Sequence, residues 1–352
     1  MATLALGSRR SATALPAWRA ALSDHVAALA VAPGGDLVAA GSLGGDSVVL
    51  DIVGGAVVAE LAEHPLGVLS LDWSPGGRRL AAGGQDGRVT LWDRSGRTVE
   101  SVELAGWVVS LAWSPDGGFL AAAGGREVAV IRADGTVVAR YGGHPSTVTS
   151  IGWEPDGGRL AAASYGGIRW YDPGSRTDGP VDEYSWKGSI LALAVSPDGR
   201  WLASGNQDAT SKVWEIPTGE DLEMTGYPAK VERLAWDHRG HHLAVASNEV
   251  VMVWRCSGGG PEGTRPQVLE SHTDRITGLG FQQRGPLLAT VSRDGVATVW
   301  NPSKRRRPLR ALDVGEPLSC LGWVAEDAVV VGTAEGQVVR LDLGTGLRTP
   351  GR

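Results

Sequence analysis

Apolar and polar positions along this chain follow one recurring pattern. Six-residue stretches reading apolar-x-x-apolar-x-aromatic, or a close variant, place equivalent residues at Val31, Trp73, Trp113, Trp153, Val195, Trp236, Phe281 and Trp323. The intervals between them are 42, 40, 40, 42, 41, 45 and 42 residues. Five of these residues are followed two positions later by a proline, at Pro33, Pro75, Pro115, Pro155 and Pro197. Proline presets φ near about −65° and the glycine that follows accepts positive φ, so the stretch predicts a tight hairpin between two strands. A second strand comes next, as in 79–83 or 201–205, then a polar turn and a third strand ending in an aromatic residue. That third-strand position holds Trp92, Trp170, Trp214, Trp254 and Trp300, with Leu50, Ile131 and Leu341 in its place elsewhere. Ten of the 14 tryptophans thus occupy two periodic positions, the distribution expected of side chains wedged between successive sheets.

A period of 40 to 45 residues is that of four-stranded propeller blades. The sequence therefore predicts an all-β fold, a closed eight-bladed β-propeller of four-stranded antiparallel blades. Its units lie near 25–61, 64–104, 107–141, 144–184, 186–224, 227–269, 272–312 and 314–342. The last unit lacks a good fourth strand. The segment 16–22 at the other end has no unit of its own, so the reading closes the ring with this N-terminal strand and leaves no open sheet edge at the seam. Seven blades is the alternative, should the degenerate first or last unit fail to form one. On this reading 15–342 is a single domain, flanked by a flexible tail over 1–14 and another over 343–352.

Composition agrees with many short strands and tight turns: 51 Gly, 19 Pro and 42% hydrophobic residues. No run approaches the ~18 uninterrupted apolar residues of a membrane span. Ser8, Arg9 and Arg10 resemble a twin-arginine export signal, but Arg19 and Asp24 interrupt the apolar stretch it would need, which argues against export. Two cysteines cannot build a secreted disulfide framework, so a reducing, cytoplasmic location is expected. A formal charge of −6 argues against a general affinity for nucleic acid or anionic membranes. Arginine far outnumbers the four lysines, and with abundant Ala and Gly this points to a GC-rich, actinobacterial-type genome.

Leu91-Trp92-Asp93 and Val299-Trp300-Asn301 end their third strands in the way that names the WD-repeat family, and the chain resembles that family over roughly residues 15 to 342. His64, Asp86 and Trp92 are spaced by 22 and 6 residues, and His272, Asp294 and Trp300 repeat both spacings. The resemblance implies that these join a hydroxyl, such as Ser292 or Thr290, in buried structural tetrads. Other units have decayed: His144 keeps its place without the Asp, Trp186 and Tyr227 stand for the His, and Asn248 lies near the Asp position. The family further implies a non-enzymatic scaffold that binds a protein or peptide on the rim formed by loops before strand one and after strand two. On that rim Trp107, Tyr165, Lys230, Arg275 and Arg293 combine aromatic and cationic character, the composition favoured by interface hot spots. A monomer or weak associator is expected.

A reading from another class rests on Asp237-His238-Arg239-Gly240-His241-His242, which replaces the usual turn, and on Cys256 in a loop of the same unit. His238, His241, His242 and Cys256 offer imidazole and thiolate ligands for zinc or a similar ion. Against it, no two-pair ligand spacing is present, and a polar turn beside an unrelated thiol explains the same residues. The basic run Lys304-Arg305-Arg306-Arg307 with Arg310 reads as a solvated loop in preference to a phosphate or nucleic-acid contact. Gly258-Gly259-Gly260 lacks the strand, helix and Lys-Ser/Thr of a phosphate loop. Resemblance to quinone-dependent propeller dehydrogenases would bring export and a vicinal disulfide, whereas Cys256 and Cys320 are 64 residues apart. No catalytic residue and no cofactor is expected.

Overall fold

The computed structural model describes residues 11–62, 64–175 and 177–344. The Ser8–Arg10 signal and most of both expected tails lie outside these. The described chain forms an all-β propeller of seven hydrogen-bonded sheets. In chain order, sheet 1 runs from Val26–Val31 to Val57–Glu60, sheet 2 from Val68–Trp73 to Thr98–Glu103, and sheet 3 from Val108–Trp113 to Val137–Tyr141. Sheet 4 has six strands, between Ser150–Trp153 and Asp221–Met224. Sheet 5 spans Val231–Trp236 to Gln267–Glu270, sheet 6 Ile276–Phe281 to Arg310–Asp313, and sheet 7 Leu318–Ala325 to Gln337–Asp342.

Counted in this way the propeller has seven blades, which corrects the expectation of eight separate four-stranded ones. The cause is not the loss of a degenerate first or last unit. Asp182–Val195 is one continuous 14-residue strand that pairs with Leu160–Tyr171 on one side and Trp201–Asn206 on the other. The sequence regions 144–184 and 186–224 are thereby merged into sheet 4. Several other junctions between repeats leave the strand in a turn before the next inner strand begins, as at Pro65-Leu66-Gly67 or Gly315-Glu316-Pro317. Across Ser185-Trp186-Lys187-Gly188 the backbone stays extended, Gly188 included, and the ladder runs through.

The two chain ends meet in sheet 7. Trp18–Ala21 pairs antiparallel with Gln337–Asp342, and the Trp18 indole donates to the Ile52 carbonyl of sheet 1 at 2.9 Å. Ala12–Thr13 adds a parallel fifth strand to the outer edge of sheet 6. Large buried side chains, among them Trp92, Trp170 and Trp300, fill the spaces between sheets.

The inner strands around the channel are tied to one another by side chains. Hydroxyls reach forward to the next inner strand: Ser70 to the Val108 carbonyl at 3.2 Å, Thr149 to Ile190 at 2.7 Å, Thr277 to Leu318 at 2.7 Å, and Ser319 across the seam to Val26 at 2.6 Å. Indole N–H groups reach backward. Trp73, Trp113, Trp153, Trp236 and Trp323 donate to the carbonyls of Ala30, Asp72, Ala112, Ala194 and Gly280 at 2.8 to 3.3 Å. An inner strand exposes one edge of backbone groups, and these links satisfy it without another strand. Packing alone does not explain the periodic first-strand tryptophans; their N–H groups are part of the reason.

Candidate functional site

In sheet 6 the tetrad is complete. His272 Nδ1 lies 3.1 Å from Asp294 Oδ2, His272 Nε2 is 2.8 Å from Thr290 Oγ1, and the Trp300 indole donates to the same hydroxyl at 3.0 Å. Thr290, not Ser292, takes the shared place; Ser292 donates to the Asp274 carbonyl instead. Burial opposes ionisation of Asp294, but hydrogen bonds from His272 and from the Thr273 and Val296 amides outweigh it and hold the carboxyl below its usual range. With Asp294 ionised, His272 donates from Nδ1 and accepts the Thr290 proton at Nε2.

The equivalent group in sheet 2 lacks its hydroxyl. His64 Nδ1 is 3.1 Å from Asp86 Oδ1, and the His64 and Trp92 rings meet edge to face at 6.2 Å. Ala82 stands where sheet 6 has Thr290: it pairs with Thr90 as Thr290 pairs with Thr298. His64 Nε2 and Trp92 Nε1 are consequently buried without a partner. His144 has found a different arrangement, with Nε2 2.9 Å from the Tyr171 hydroxyl. Burial, then Arg169 and Arg126, push its pKa down to about 4, so this imidazole is neutral. Tyr227, in the His position, accepts the Trp254 indole N–H at 2.8 Å. These groups are buried, with none of the open geometry a catalytic triad needs.

The His-rich turn is not gathered as a ligand set. Asp237 accepts the His241 and His242 amides at 2.7 and 3.0 Å and the His242 Nδ1 at 3.0 Å, the bonding of a polar turn. Cys256 is buried in an apolar cluster with Tyr227 and Trp236, and burial raises its thiol to about 12. No group of three His, Cys, Asp or Glu placed to hold a metal occurs among the described residues, His238 included. Lys304, Arg305, Arg306 and Arg307 are exposed on the loop between Val296–Trp300 and Arg310–Asp313, and Gly258–Gly260 belongs to the loop before Gln267–Glu270.

The five residues singled out on the rim do share one face. Trp107 is 59% exposed immediately before Val108–Trp113, and Tyr165 is 50% exposed beside the start of the inner strand at Ser189. On the far side of the channel mouth Lys230 Nζ lies 3.0 Å from Glu232 Oε1, and Arg275 pairs with the other oxygen of the same carboxylate. The Arg293 amide donates to the Arg275 carbonyl at 3.0 Å, which ties this loop to that cluster. Sequence reasoning missed Glu232, the anion that organises both cations, because it sits inside an inner strand and not in a loop. It also missed Leu43 and Leu66, 38% and 61% exposed on the same rim, where the Leu43 amide donates to the His25 carbonyl at 2.9 Å and Leu66 precedes Gly67. The order of rim residues around the ring carried that signal. The large exposed apolar side chains of this face lie over sheets 1 to 4, where Asp24, Arg126 and Lys187 are exposed as well, and the charge cluster centred on Glu232 lies over sheets 5 and 6.

A stretch of 162 residues is 29% identical to the nuclear distribution protein nudF of Aspergillus terreus, covering 38% of this chain and 35% of that protein. Similar matches are to the probable cytosolic iron-sulfur protein assembly protein 1 of Cryptococcus neoformans, 34% identical over 34% of this chain and 25% of the relative, and to the small ribosomal subunit protein RACK1y of Oryza sativa, 29% identical over 33% and 35%. The chain thus spans about a third or less of the length of these relatives. The fold extends further: the crystal structure of the C-terminal WD40 domain of Sif2 covers 96% of this chain and 100% of its own at a TM-score of 0.82 and 17% identity. The computationally designed protein Ika8 covers 95% and 100% at 0.79 and 22%. The model of the WD domain, G-beta repeat, matches residues 55–93, 99–138, 135–172, 180–215 and 263–301, more than half of the chain, and the protein therefore belongs to the WD40 repeat family.

Proposed function

We propose that this protein is a non-enzymatic scaffold which binds another protein or peptide across this rim. The observation that carries the reading is the distribution of exposed apolar side chains. Of ten large ones exposed among the described residues, Leu43, Leu66, Trp107 and Tyr165 belong to this one face. Beside them stand Lys230, Arg275 and Arg293, giving apolar anchors on one half and directional charge on the other. Relatives named as a small ribosomal subunit protein and as a target of rapamycin complex subunit are components of assemblies, which supports the same reading. A cytoplasmic setting is consistent with a relative named as a cytosolic assembly protein, and no helix among the described residues is long and apolar enough to cross a membrane.

The test is affinity capture from the native host, comparing wild type with a Trp107→Ala, Tyr165→Ala double variant and with Arg239→Ala on the opposite face. Proteins recovered by wild type and Arg239→Ala but lost from the double variant are the expected result. Equal recovery by all three removes the rim from consideration.

A further inference from the structure

The seam between sheets 7 and 1 differs from the others on the face opposite the docking rim. Five inner strands end in a tryptophan, 5 to 9% exposed, whose indole donates to a carbonyl of the preceding inner strand. At this seam the same position is Val31, which lies against Gly322 and brings no donor toward it. A second packing group is missing as well. At four other seams the turn glycine of one repeat rests on the turn proline of the one before: Gly77 on Pro33, Gly117 on Pro75, Gly157 on Pro115 and Gly199 on Pro155. Here Gly35 faces Val324, and Ala325 stands in the proline position.

Two other inner strands also lack the indole, and neither is short of both groups. Val195 has Pro155 behind it, in contact with Gly199, and Phe281 is itself aromatic. Where ring and proline are both absent the structure has a cavity of about 180 Å³. Val31, Ala32, Trp323, Val324 and Ala325 supply its apolar wall. Gln282 fixes the polar side: it donates to the Glu326 carbonyl at 2.5 Å and accepts the Leu287 amide at 3.2 Å. Arg284 and Glu326 are exposed at the mouth.

We propose that this cavity is a binding site for one planar aromatic ring of the indole class, taking the place that the repeat's own tryptophan fills elsewhere. The volume sets the class. A cavity of about 150 Å³ in another protein admits benzene, whereas sites for drug-sized ligands begin near about 300 Å³. The repeat supplies the chemistry. Val31 holds the position that five other inner strands give to a tryptophan, each with its indole N–H bonded to a carbonyl of the preceding inner strand.

The experiment is a fluorine NMR titration of 5-fluoroindole against the full chain, expected to saturate with a dissociation constant on the order of 1 mM. Val31→Trp fills the cavity from inside, and Ala325→Trp covers its exposed mouth without disturbing buried packing. Both should weaken binding at least tenfold, while Val138→Ala on the outer strand of sheet 3 leaves it unchanged. If Val31→Trp does not fold, Ala325→Trp carries the test alone. No saturable shift in wild type, or undiminished binding in the folded filled variants, overturns the proposal. N-acetyl-tryptophanamide, titrated in parallel, separates the sources: its binding assigns the ring to a peptide, and binding of free fluoroindole alone assigns it to a small molecule. Because the docking reading is tested on the other face, failure of either leaves the other standing.

Discussion

Replacing Ala82 by Ser should stabilise the protein, and the size of the gain follows from comparing two homologous groups inside the same chain. In sheet 6, Thr290 donates to His272 Nε2 and accepts from Trp300, so one hydroxyl satisfies two buried groups. In sheet 2, with Ala82 in that place, His64 Nε2 and Trp92 Nε1 have no partner. A serine hydroxyl at 82 would complete both bonds in an environment that already accommodates Thr90 opposite. Each bond formed contributes about 0.5–1.5 kcal/mol net, and ordering one hydroxyl offsets a fraction of that, so a gain of about 1–2 kcal/mol is expected. For a chain of this length that is only about 1–3 °C in Tm, so urea denaturation read by tryptophan fluorescence is the better assay. The reciprocal Thr290→Ala leaves two buried groups unsatisfied and should cost at least about 2 kcal/mol. In a His64→Phe background the benefit of Ala82→Ser should shrink to the Trp92 bond alone. If Thr290→Ala is costly while Ala82→Ser brings no gain, the sheet 2 groups are satisfied in some other way and the reasoning is refuted.

Four further outcomes are expected. Trp300→Ala removes a fully buried indole and should cost about 3–5 kcal/mol, measured by denaturation, whereas Trp107→Ala should leave stability within about 0.5 kcal/mol. The folded protein resists protonating His144, whose pKa lies near about 4 against 6.5 for the ordinary imidazole. The unfolded chain then takes up the proton first, and stability falls as pH drops from about 6.5 to about 4, by about 3 kcal/mol in total; a His144→Gln variant should show a flatter profile across that window. Asp72 is pushed the other way, up to about 7, by burial that outweighs the amide bonds from Trp113 and Trp73. Stability should therefore decline as pH rises from about 4 to about 7, and Asp72→Asn should be more stable than wild type at pH ~8 with the difference vanishing near pH ~4. Removing residues 1–24 takes away the Trp18–Ala21 strand and exposes the Gln337–Asp342 edge, so the truncated protein should aggregate or lose cooperative unfolding; an unchanged urea transition would count against the closing role of that strand.

The propeller was legible because its determinants recur. Pro- and Gly-bearing turns in five units, period-two strands and tryptophans at two positions in most units recur at intervals of 40 to 45 residues, so each repeat supports the next. The sheet count was not legible, because it turns on the backbone conformation of 185–189, which stays extended and paired through Gly188 although glycine also suits a turn. Spacing alone made the groups of sheets 2 and 6 look alike, since His, Asp and Trp coincide in number. What separates them is a fourth residue, Ala82 against Thr290, whose role appears only when strand register places it under the indole. His241, His242 and Cys256 are neighbours in one repeat, yet the turn binds its histidines to Asp237 while the thiol points into a core.

Periodicity has a consequence for where function can reside in such a ring. The forward hydroxyl links and backward indole links satisfy the edge of each inner strand, so any position that takes part in them is constrained by its neighbours around the whole channel. Positions that break the pattern are released from that duty: Trp107 and Tyr165 on one rim, Glu232 and Arg233 as charged residues within an inner strand, Val31 with Ala325 on the other face. Arg233 is a partial exception, since its Nε still donates to the Thr277 carbonyl at 2.9 Å and so replaces a hydroxyl link while adding charge to the channel. A deviation that also keeps the link costs the scaffold little, whereas Val31 gives the link up entirely and leaves room for a ring. Departures from the repeat are thus the places where this chain differs from a bare scaffold, and substitutions that restore the repeat, Val31→Trp foremost, should remove binding while holding the fold.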